Sequence, residues 1–173
     1  MKKAIIFSVV FPALISFINA QDSYTTKYDT KINQEILTGK TDREGLQSEV
    51  FGDYFTTEYE QYSPDEAVLA ELEKADFSAV RITIVMGSWC SDSQREVPRF
   101  YNVLDRTSFD DENLVIICVD SDKNAEGADI STLNILKVPT FIIFIDDEEA
   151  GRIIESPSDS LEKDLLNILQ NKK

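Results

Sequence analysis

Three short runs of apolar, largely β-branched residues most strongly limit how this chain can fold. They occupy residues 79–86, 114–119 and 141–145 and are nearly continuous in apolar character. Runs of this kind are typical of strands buried on both faces of a sheet. The segment after the first run, residues 91–104, carries apolar side chains at helical spacing: Val97, Phe100, Tyr101 and Leu104. A strand, a helix and a second strand in this order predict a parallel βαβ unit.

The rest of the chain predicts further helices and a hairpin. Residues 151–155 follow the third run as the return strand of an antiparallel hairpin, and Ser160 caps a final amphipathic helix. Thr41 begins a capping-box sequence, which predicts a helix running to about residue 60. Residues 21–40 are polar with little periodicity and are predicted to be a loose leader. Together these elements predict an α/β domain with a mixed sheet flanked by helices and an N-terminal helical extension.

Composition excludes several kinds of chemistry. The chain has no histidine and two cysteines among its 173 residues. Ser-His-Asp and Cys-His catalytic sets, His-ligated metals and four-thiolate zinc sites are therefore excluded. The formal net charge of −15 disfavours binding to nucleic acid and to anionic membrane surfaces, because both would repel the protein. The length and hydrophobic content favour one domain with a substantial core.

Residues 1–20 have the pattern of an export signal. Two lysines precede an apolar run over residues 4–18, and Ala20 supplies a small residue before the expected cleavage point. The alternative is an uncleaved membrane anchor, but the run is shorter than the ~20 apolar residues that span a bilayer, and Pro12 interrupts it. We therefore expect a periplasmic or secreted protein with no stable membrane insertion, in a compartment where disulfides form.

A cysteine stands where the first predicted strand gives way to a helix. This cysteine is Cys90. The free N–H groups and the positive end of the helix dipole at such a position favour thiolate over thiol. The thiolate is the reactive form in disulfide exchange. Ser93 is placed to offer the sulfur a hydroxyl hydrogen bond, whereas the carboxylate of Asp92 opposes a second negative charge. The alternative is that Cys90 is a small apolar filler beside Trp89.

Two short motifs resemble the thioredoxin-like superfamily. They are Trp89-Cys90-Ser91-Asp92-Ser93, followed by a helix with internal Pro98, and the later Val138-Pro139-Thr140. The resemblance covers about residues 64–170, and the strings at 87–98 and 151–157 are similar to a bacterial, exported branch of the superfamily. The resemblance implies a three-layer sandwich with a mixed central sheet. It also implies that the chain needs no cofactor and acts on protein or small-molecule disulfides and thiols.

The resemblance also implies roles for individual residues. Pro139 should follow a cis peptide bond and pack near the nucleophilic sulfur. The backbone of Val138 should be free to pair with an extended substrate peptide as an added strand. Trp89 and the segment through Thr140 would frame that substrate. Asp120 would accept a hydrogen bond from the indole N–H of Trp89.

Several positions depart from the superfamily pattern. Ser93 stands where typical members carry a second cysteine that resolves the mixed disulfide. Ile84 and Ile116 stand at the positions of a buried acid and its companion lysine. A dithiol reductase is therefore not expected, and an adduct on Cys90 would need an external thiol for its release. Cys118 is expected to be a buried, inert thiol; the alternative is a disulfide with Cys90.

One acidic stretch partly matches a metal-binding pattern. Residues 120–124 agree with the first three ligand positions of a calcium loop. The sixth position is Ala125 instead of glycine, and the twelfth is Ser131 instead of glutamate. The tight turn and the bidentate ligand are therefore missing, and no metal site is expected.

Two functions are compatible with this sequence. The first is a monothiol thioredoxin-like protein that takes part in thiol–disulfide exchange through Cys90, with or without catalytic turnover. The second is a redox-inactive binding module that keeps the same groove, near Trp89 and Pro139, to hold an extended peptide or a partner. In both cases the domain is expected to span residues 41–173.

Overall fold

A six-stranded mixed sheet forms the centre of the computed structural model, which describes residues 23–171. In chain order the strands are β1 Thr25–Asp29, β2 Gln34–Thr41, β3 Val80–Met86, β4 Leu114–Cys118, β5 Thr140–Ile145 and β6 Glu148–Ile154. Across the sheet their order is β1-β2-β4-β3-β5-β6. β3 and β4 are parallel, and the other neighbouring pairs are antiparallel. The expected signal peptide, residues 1–20, lies outside the described residues.

Helices flank this sheet, which confirms the predicted α/β class. They are α1 Arg43–Leu46, α2 Gly52–Gln61, α3 Glu66–Leu72, α4 Ser91–Leu104 and α5 Leu161–Gln170, with short 3-10 turns at Asp111–Asn113 and Ser131–Leu133. α2 packs on α4, and α5 contacts α3, α4 and β6. Within residues 23–171, no helix is both long enough and apolar enough to cross a membrane.

The main core lies between the sheet and the helices, because successive side chains of a strand point to opposite faces. β3 contributes three fully buried side chains to it: Ile82, Ile84 and Met86. Phe100 of α4 packs on Phe141 of β5, with ring centroids 4.7 Å apart. The other face carries a smaller valine cluster, formed by Val85, Val119 and Val138. This valine cluster lies at the C-terminal ends of β3 and β4, where the candidate site is built.

A β-hairpin occupies the segment that the sequence predicts to be loose. β1 and β2 pair with each other, and β2 then pairs with β4, so the hairpin extends the central sheet. Ile36 and Leu37 of β2 are fully buried. The loose leader expected over residues 21–40 is therefore corrected to an integral part of the domain. β1 is an edge strand with mostly exposed or half-buried side chains, so no clear alternation of apolar and polar residues marks it.

The helix predicted to begin after Thr41 is two shorter helices. Thr41 ends β2, and Asp42 is the N-cap of α1, its carboxylate accepting a hydrogen bond from the N–H of Gly45 at 3.1 Å. The chain then turns before α2, and a Cβ added at Gly52 would lie 2.8 Å from the carbonyl oxygen of Gln47. The spacing of apolar residues does not reveal this turn, because α1 and α2 bury side chains in the same core.

Candidate functional site

Cys90 lies at the junction between β3 and α4. It is the N-cap residue of α4, in extended backbone conformation, and its side chain is partly exposed. The N–H of Cys90 donates to the carbonyl of Gly87 at 2.9 Å and closes the turn. Gln94 braces the same turn, because its Nε2 donates to the carbonyl of Ser88 at 2.8 Å. The thiol therefore stands at the N-terminus of a 14-residue helix.

The turn that contains Pro139 lies against this thiol. The Val138–Pro139 peptide bond is cis, as the resemblance implied. The thiol of Cys90 donates to the carbonyl oxygen of Val138, with a sulfur–oxygen distance of 3.3 Å. Within the described part of the chain, the N–H of Val138 forms no hydrogen bond. Thr140 is buried and its hydroxyl donates to the carbonyl of Lys137 at 2.7 Å, so Thr140 supports the turn from inside.

Trp89 is held by a different acceptor from the one that the resemblance implied. Its indole N–H donates to the backbone carbonyl of Val119 at 2.9 Å. The expected hydrogen bond to the carboxylate of Asp120 is therefore wrong, because the acceptor is the backbone carbonyl of the preceding residue. The ring also packs closely on the turn, since a Cβ added at Gly87 would lie 2.7 Å from it. Any side chain at Gly87 would displace the indole that stands beside Cys90.

Asp120 instead joins the loop after β4 to the N-terminal hairpin. Its carboxylate accepts from Lys27 Nζ at 2.8 Å and from the N–H groups of Asp122 and Asn124 at 3.0 and 2.9 Å. Burial alone would raise the pKa of Asp120, but these hydrogen bonds outweigh it and lower the pKa below its ordinary value. Asp120 thus acts as a structural anchor. No three His, Cys, Asp or Glu side chains in the described residues are grouped as metal ligands would be.

Ser93 bonds to the turn backbone and not to the sulfur. It is fully buried, and its Oγ accepts a hydrogen bond from the N–H of Gly87 at 3.2 Å. In the described residues no hydrogen bond joins Ser93 to Cys90, in contrast to the arrangement that the sequence predicts. The hydroxyl therefore fixes the turn that presents Cys90.

Arg95 neutralises much of the negative charge near the thiol. Its Nη2 donates to the carboxylate of Asp92 at 2.9 Å and to the hydroxyl of Ser156 at 3.0 Å. Its Nε donates to Glu96 at 2.7 Å, and the side chain of Glu96 is only 6% exposed. The carboxylate of Asp92, which would oppose a thiolate, is thus paired with a cation one helical turn away. The same guanidinium ties α4 to the segment after β6.

The sheet beneath the site is apolar. Ile84 of β3 lies opposite Ile116 of β4 in the strand register, and both side chains are buried. Cys118 lies opposite Met86, is fully buried and forms no disulfide. Burial raises the pKa of the Cys118 thiol to about 12. The expected burial of Cys118 is therefore confirmed, and the alternative disulfide with Cys90 is not formed.

The long segment between β4 and β5 supplies apolar surroundings that the sequence argument missed. Four side chains of this segment pack on the valine cluster, as Trp89 and Cys90 do: Ala125, Ile130, Leu133 and Ile135. They are spaced irregularly in a polar, acidic stretch, so neither a helix nor a strand period marks them. Arg152 Nη1 donates to the carbonyl of Leu133 at 3.1 Å and holds this segment near β6.

Comparisons with known proteins identify partly similar solved structures, among them a thioredoxin. No protein-family model matches the chain, and no curated protein sequence is similar to it. A mutant thioredoxin from Halobacterium salinarum shares 20% identity and a TM-score of 0.37, covering 58% of this chain and 81% of its own. The protein Trxlp from Edwardsiella tarda shares 20% identity and a TM-score of 0.38, covering 61% and 94%.

The third similar structure has no known function. This Pseudomonas aeruginosa protein shares 15% identity and a TM-score of 0.46, covering 69% of this chain and 79% of its own. At these values none of the three assigns the chain to a family. The case for function therefore depends on the geometry at Cys90 itself.

Proposed function

We propose that this chain is a thioredoxin-like protein, exported by a bacterium to the periplasm or beyond, that exchanges disulfides through Cys90. The observation that carries the proposal is the contact of 3.3 Å between Cys90 Sγ and the carbonyl of Val138, beside the cis peptide bond. Cys90 is also partly exposed at the N-terminus of α4, so a substrate disulfide can reach its sulfur. Protein or small-molecule disulfides are the proposed substrates.

The proposed chemistry is one exchange at Cys90, followed by a second exchange with an external thiol. The thiolate of Cys90 attacks one sulfur of a substrate disulfide and forms a new S–S bond, and the other substrate sulfur leaves as a thiolate that takes up a proton. Ser93 stands at the position of a resolving thiol, and Cys118 is buried in the sheet. An external thiol must therefore attack the mixed disulfide. That attack returns the Cys90 thiol and leaves the external sulfur bonded to the substrate.

A redox-inactive binding module is the second candidate. It is favoured by the buried Ile84 and Ile116, because no acid or base lies at these positions to move a proton. In this function the free N–H of Val138 would pair with an extended peptide, and Cys90 would remain a thiol against the neighbouring carbonyl.

The rate of mixed-disulfide formation separates the two functions. A small, neutral aromatic disulfide is mixed with the folded protein at pH 7, and its released thiol is measured by absorbance. If Cys90 is an exchange thiol, we expect it to react about tenfold faster than the same cysteine in the urea-unfolded chain, because the folded site would hold the aromatic disulfide beside the sulfur. A folded rate equal to or below the unfolded rate would favour the binding module.

Two variants control this measurement. Cys90→Ser should remove the reaction of the folded protein, whereas Cys118→Ser should leave its rate unchanged because Cys118 is buried. Ser93→Cys would supply the missing second thiol. We expect this variant to release the reduced substrate without an added thiol, and its failure to do so would mean that the site lacks more than a resolving cysteine.

A further inference from the structure

A pocket beside the candidate site is formed by the segment between β4 and β5. Its volume is about 490 Å³, within the range of ligand pockets. The residues that line it are Lys123, Ile130, Ser131, Asn134, Ile135 and Leu136. Ile130 and Ile135 also pack on the valine cluster, as Trp89 and Cys90 do. The pocket and the candidate site are therefore both built on this cluster, which includes Val138.

The outer rim of this pocket is an exposed aliphatic side chain. Leu136 is 80% exposed, more than any other large hydrophobic side chain in the described residues. It precedes Val138, whose N–H is free, by two residues. Only Lys137 separates Leu136 from Val138 in the chain, so a peptide paired with Val138 would reach Leu136 within two or three residues.

The pocket also contains a cation without an ion pair. Two lysines of the hairpin are paired with the loop that carries Lys123, Lys27 with Asp120 and Lys31 with Asp122. In the described part of the chain, Lys123 itself forms no ion pair. The backbone of Lys123 has a φ of 62°, the left-handed conformation of a turn residue. An unpaired ammonium group therefore stands among aliphatic side chains.

Two charged side chains close to Cys90 and Val138 in the chain are already paired. Asp92 is paired with Arg95, and Lys137 is paired with Glu155. The whole chain carries a net charge of −15 and repels acidic ligands in general. Lys123 is thus the group that can attract a carboxylate to one side of the thiol and fix its direction.

From these features, we propose that the pocket selects substrate segments in which a large aliphatic residue lies next to an aspartate or glutamate, close to the disulfide. The aliphatic side chain would enter between Ile130, Ile135 and Leu136. The carboxylate would meet Lys123, and the substrate backbone would pair with Val138. This selectivity rests on the proposed function of the same groove, but it holds for binding with or without exchange.

The test uses noncovalent binding first. The full mature chain with Cys90→Ser is titrated with short peptides that carry Leu-Glu, Leu-Lys or Ser-Glu beside a serine in place of the substrate cysteine. Binding is followed by NMR of the backbone N–H groups at low ionic strength. We expect Leu-Glu to bind at least threefold more tightly than either other peptide, with the largest shifts at residues 130–136.

Variants assign the selectivity to named side chains. Lys123→Glu should reverse the preference between Leu-Glu and Leu-Lys, and Leu136→Ser should weaken both leucine peptides. Lys40→Glu is the matched control, because Lys40 is also exposed and unpaired in the described residues but does not line the pocket. It should leave the order of affinities unchanged.

The outcomes separate this inference from the proposed function. If all three peptides bind alike, or if Lys40→Glu changes the preference as much as Lys123→Glu, the pocket does not select its ligand and the inference is overturned. The rate with the small neutral disulfide is measured on the unsubstituted chain and on Lys40→Glu, both with Cys90 retained, and the two rates should be equal. A slow rate in both proteins would overturn exchange while leaving the binding result to decide selectivity.

Discussion

At the scale of single residues, the two cysteines differ because their surroundings differ. Cys90 is partly exposed and its sulfur meets a backbone carbonyl at the start of a helix. Cys118 is enclosed in the sheet, where burial raises the pKa of its thiol to about 12. A thiolate at Cys118 would be an unpaired charge in an apolar interior, which is strongly disfavoured. Of the two, Cys90 is therefore the thiol that we expect to react.

This contrast predicts the number of thiols that react in the folded protein. At pH 8 and without denaturant, a chromogenic disulfide reagent should modify one thiol, and Cys90→Ser should reduce this to none. In denaturant the unsubstituted chain should give two, because unfolding returns Cys118 to water. Rapid modification of two thiols in the folded state would mean that the sheet around Cys118 opens readily.

At the scale of elements, one glycine permits the close approach of β2 to the loop after β4. Gly39 has a φ of 73° and pairs with Cys118 across the two strands. A Cβ there would lie 2.4 Å from the backbone oxygen of Glu126. Gly127 has a similar φ of 68°, but its Cβ would have no neighbour within 4 Å. Both glycines have a positive φ, but a Cβ would meet a close neighbour only at Gly39.

Alanine variants of Gly39 and Gly127 allow the cost of the steric clash to be measured separately from the cost of a positive φ. Gly127→Ala should lower the free energy of unfolding by about 1 kcal/mol, since a Cβ is disfavoured at positive φ. Gly39→Ala should cost about 2 kcal/mol more, because the backbone oxygen of Glu126 must also move. Urea unfolding at equilibrium gives both values. Equal losses for the two variants would contradict the close packing of β2 on the loop.

At the scale of the whole molecule, the N-terminal hairpin is fastened to the loop that leaves β4. Lys27 meets Asp120 at 2.8 Å, and Asp29 accepts a hydrogen bond from the N–H of Ser121 at 3.1 Å. Hydrogen bonds from the hydroxyl and N–H of Ser121, and from the N–H of Lys31, lower the pKa of Asp29 from 3.8 to about 2. The ionised carboxylate is therefore favoured by the folded state.

This anchor predicts a pH-dependent contribution to stability. Because folding lowers the pKa of Asp29, its carboxylate stabilises the protein fully above pH ~4, and the contribution is lost as the pH falls toward 2. Asp29→Asn should lower the thermal midpoint at pH 7, and its difference from the unsubstituted chain should narrow between pH 4 and pH 2. Differential scanning calorimetry provides the midpoints.

A surface carboxylate gives the matched comparison for this anchor. Asp159 is exposed, so Asp159→Asn should leave the thermal midpoint at pH 7 nearly unchanged. An effect of Asp29→Asn that stays constant from pH 7 to pH 2 would mean that the ionised carboxylate is not what the hairpin contact requires.

The parts of this fold that the sequence predicted are those whose signals are local. The runs that became β3, β4 and β5 are continuous in apolar residues, and α4 has helical spacing directly after a strand. The position of Cys90 at a helix N-terminus follows from this order alone. The prediction that the Pro139 turn lies near Cys90 came from the resemblance of two motifs. The hydrogen bond that joins these motifs connects residues 48 positions apart in the chain.

The parts that the sequence did not predict depend on contacts between distant segments. The strands β1 and β2 join the sheet through the pairing of β2 with β4. The indole of Trp89 donates to the carbonyl of Val119, while Lys27 donates to the adjacent carboxylate of Asp120. By itself the sequence determined one helix-capping thiol, one thiol in an apolar strand and the absence of a histidine partner. Only the tertiary structure decided what surrounds the thiol. The pocket residues, the hairpin and the paired charges come from segments far apart in the chain, and local sequence patterns do not predict contacts between such segments.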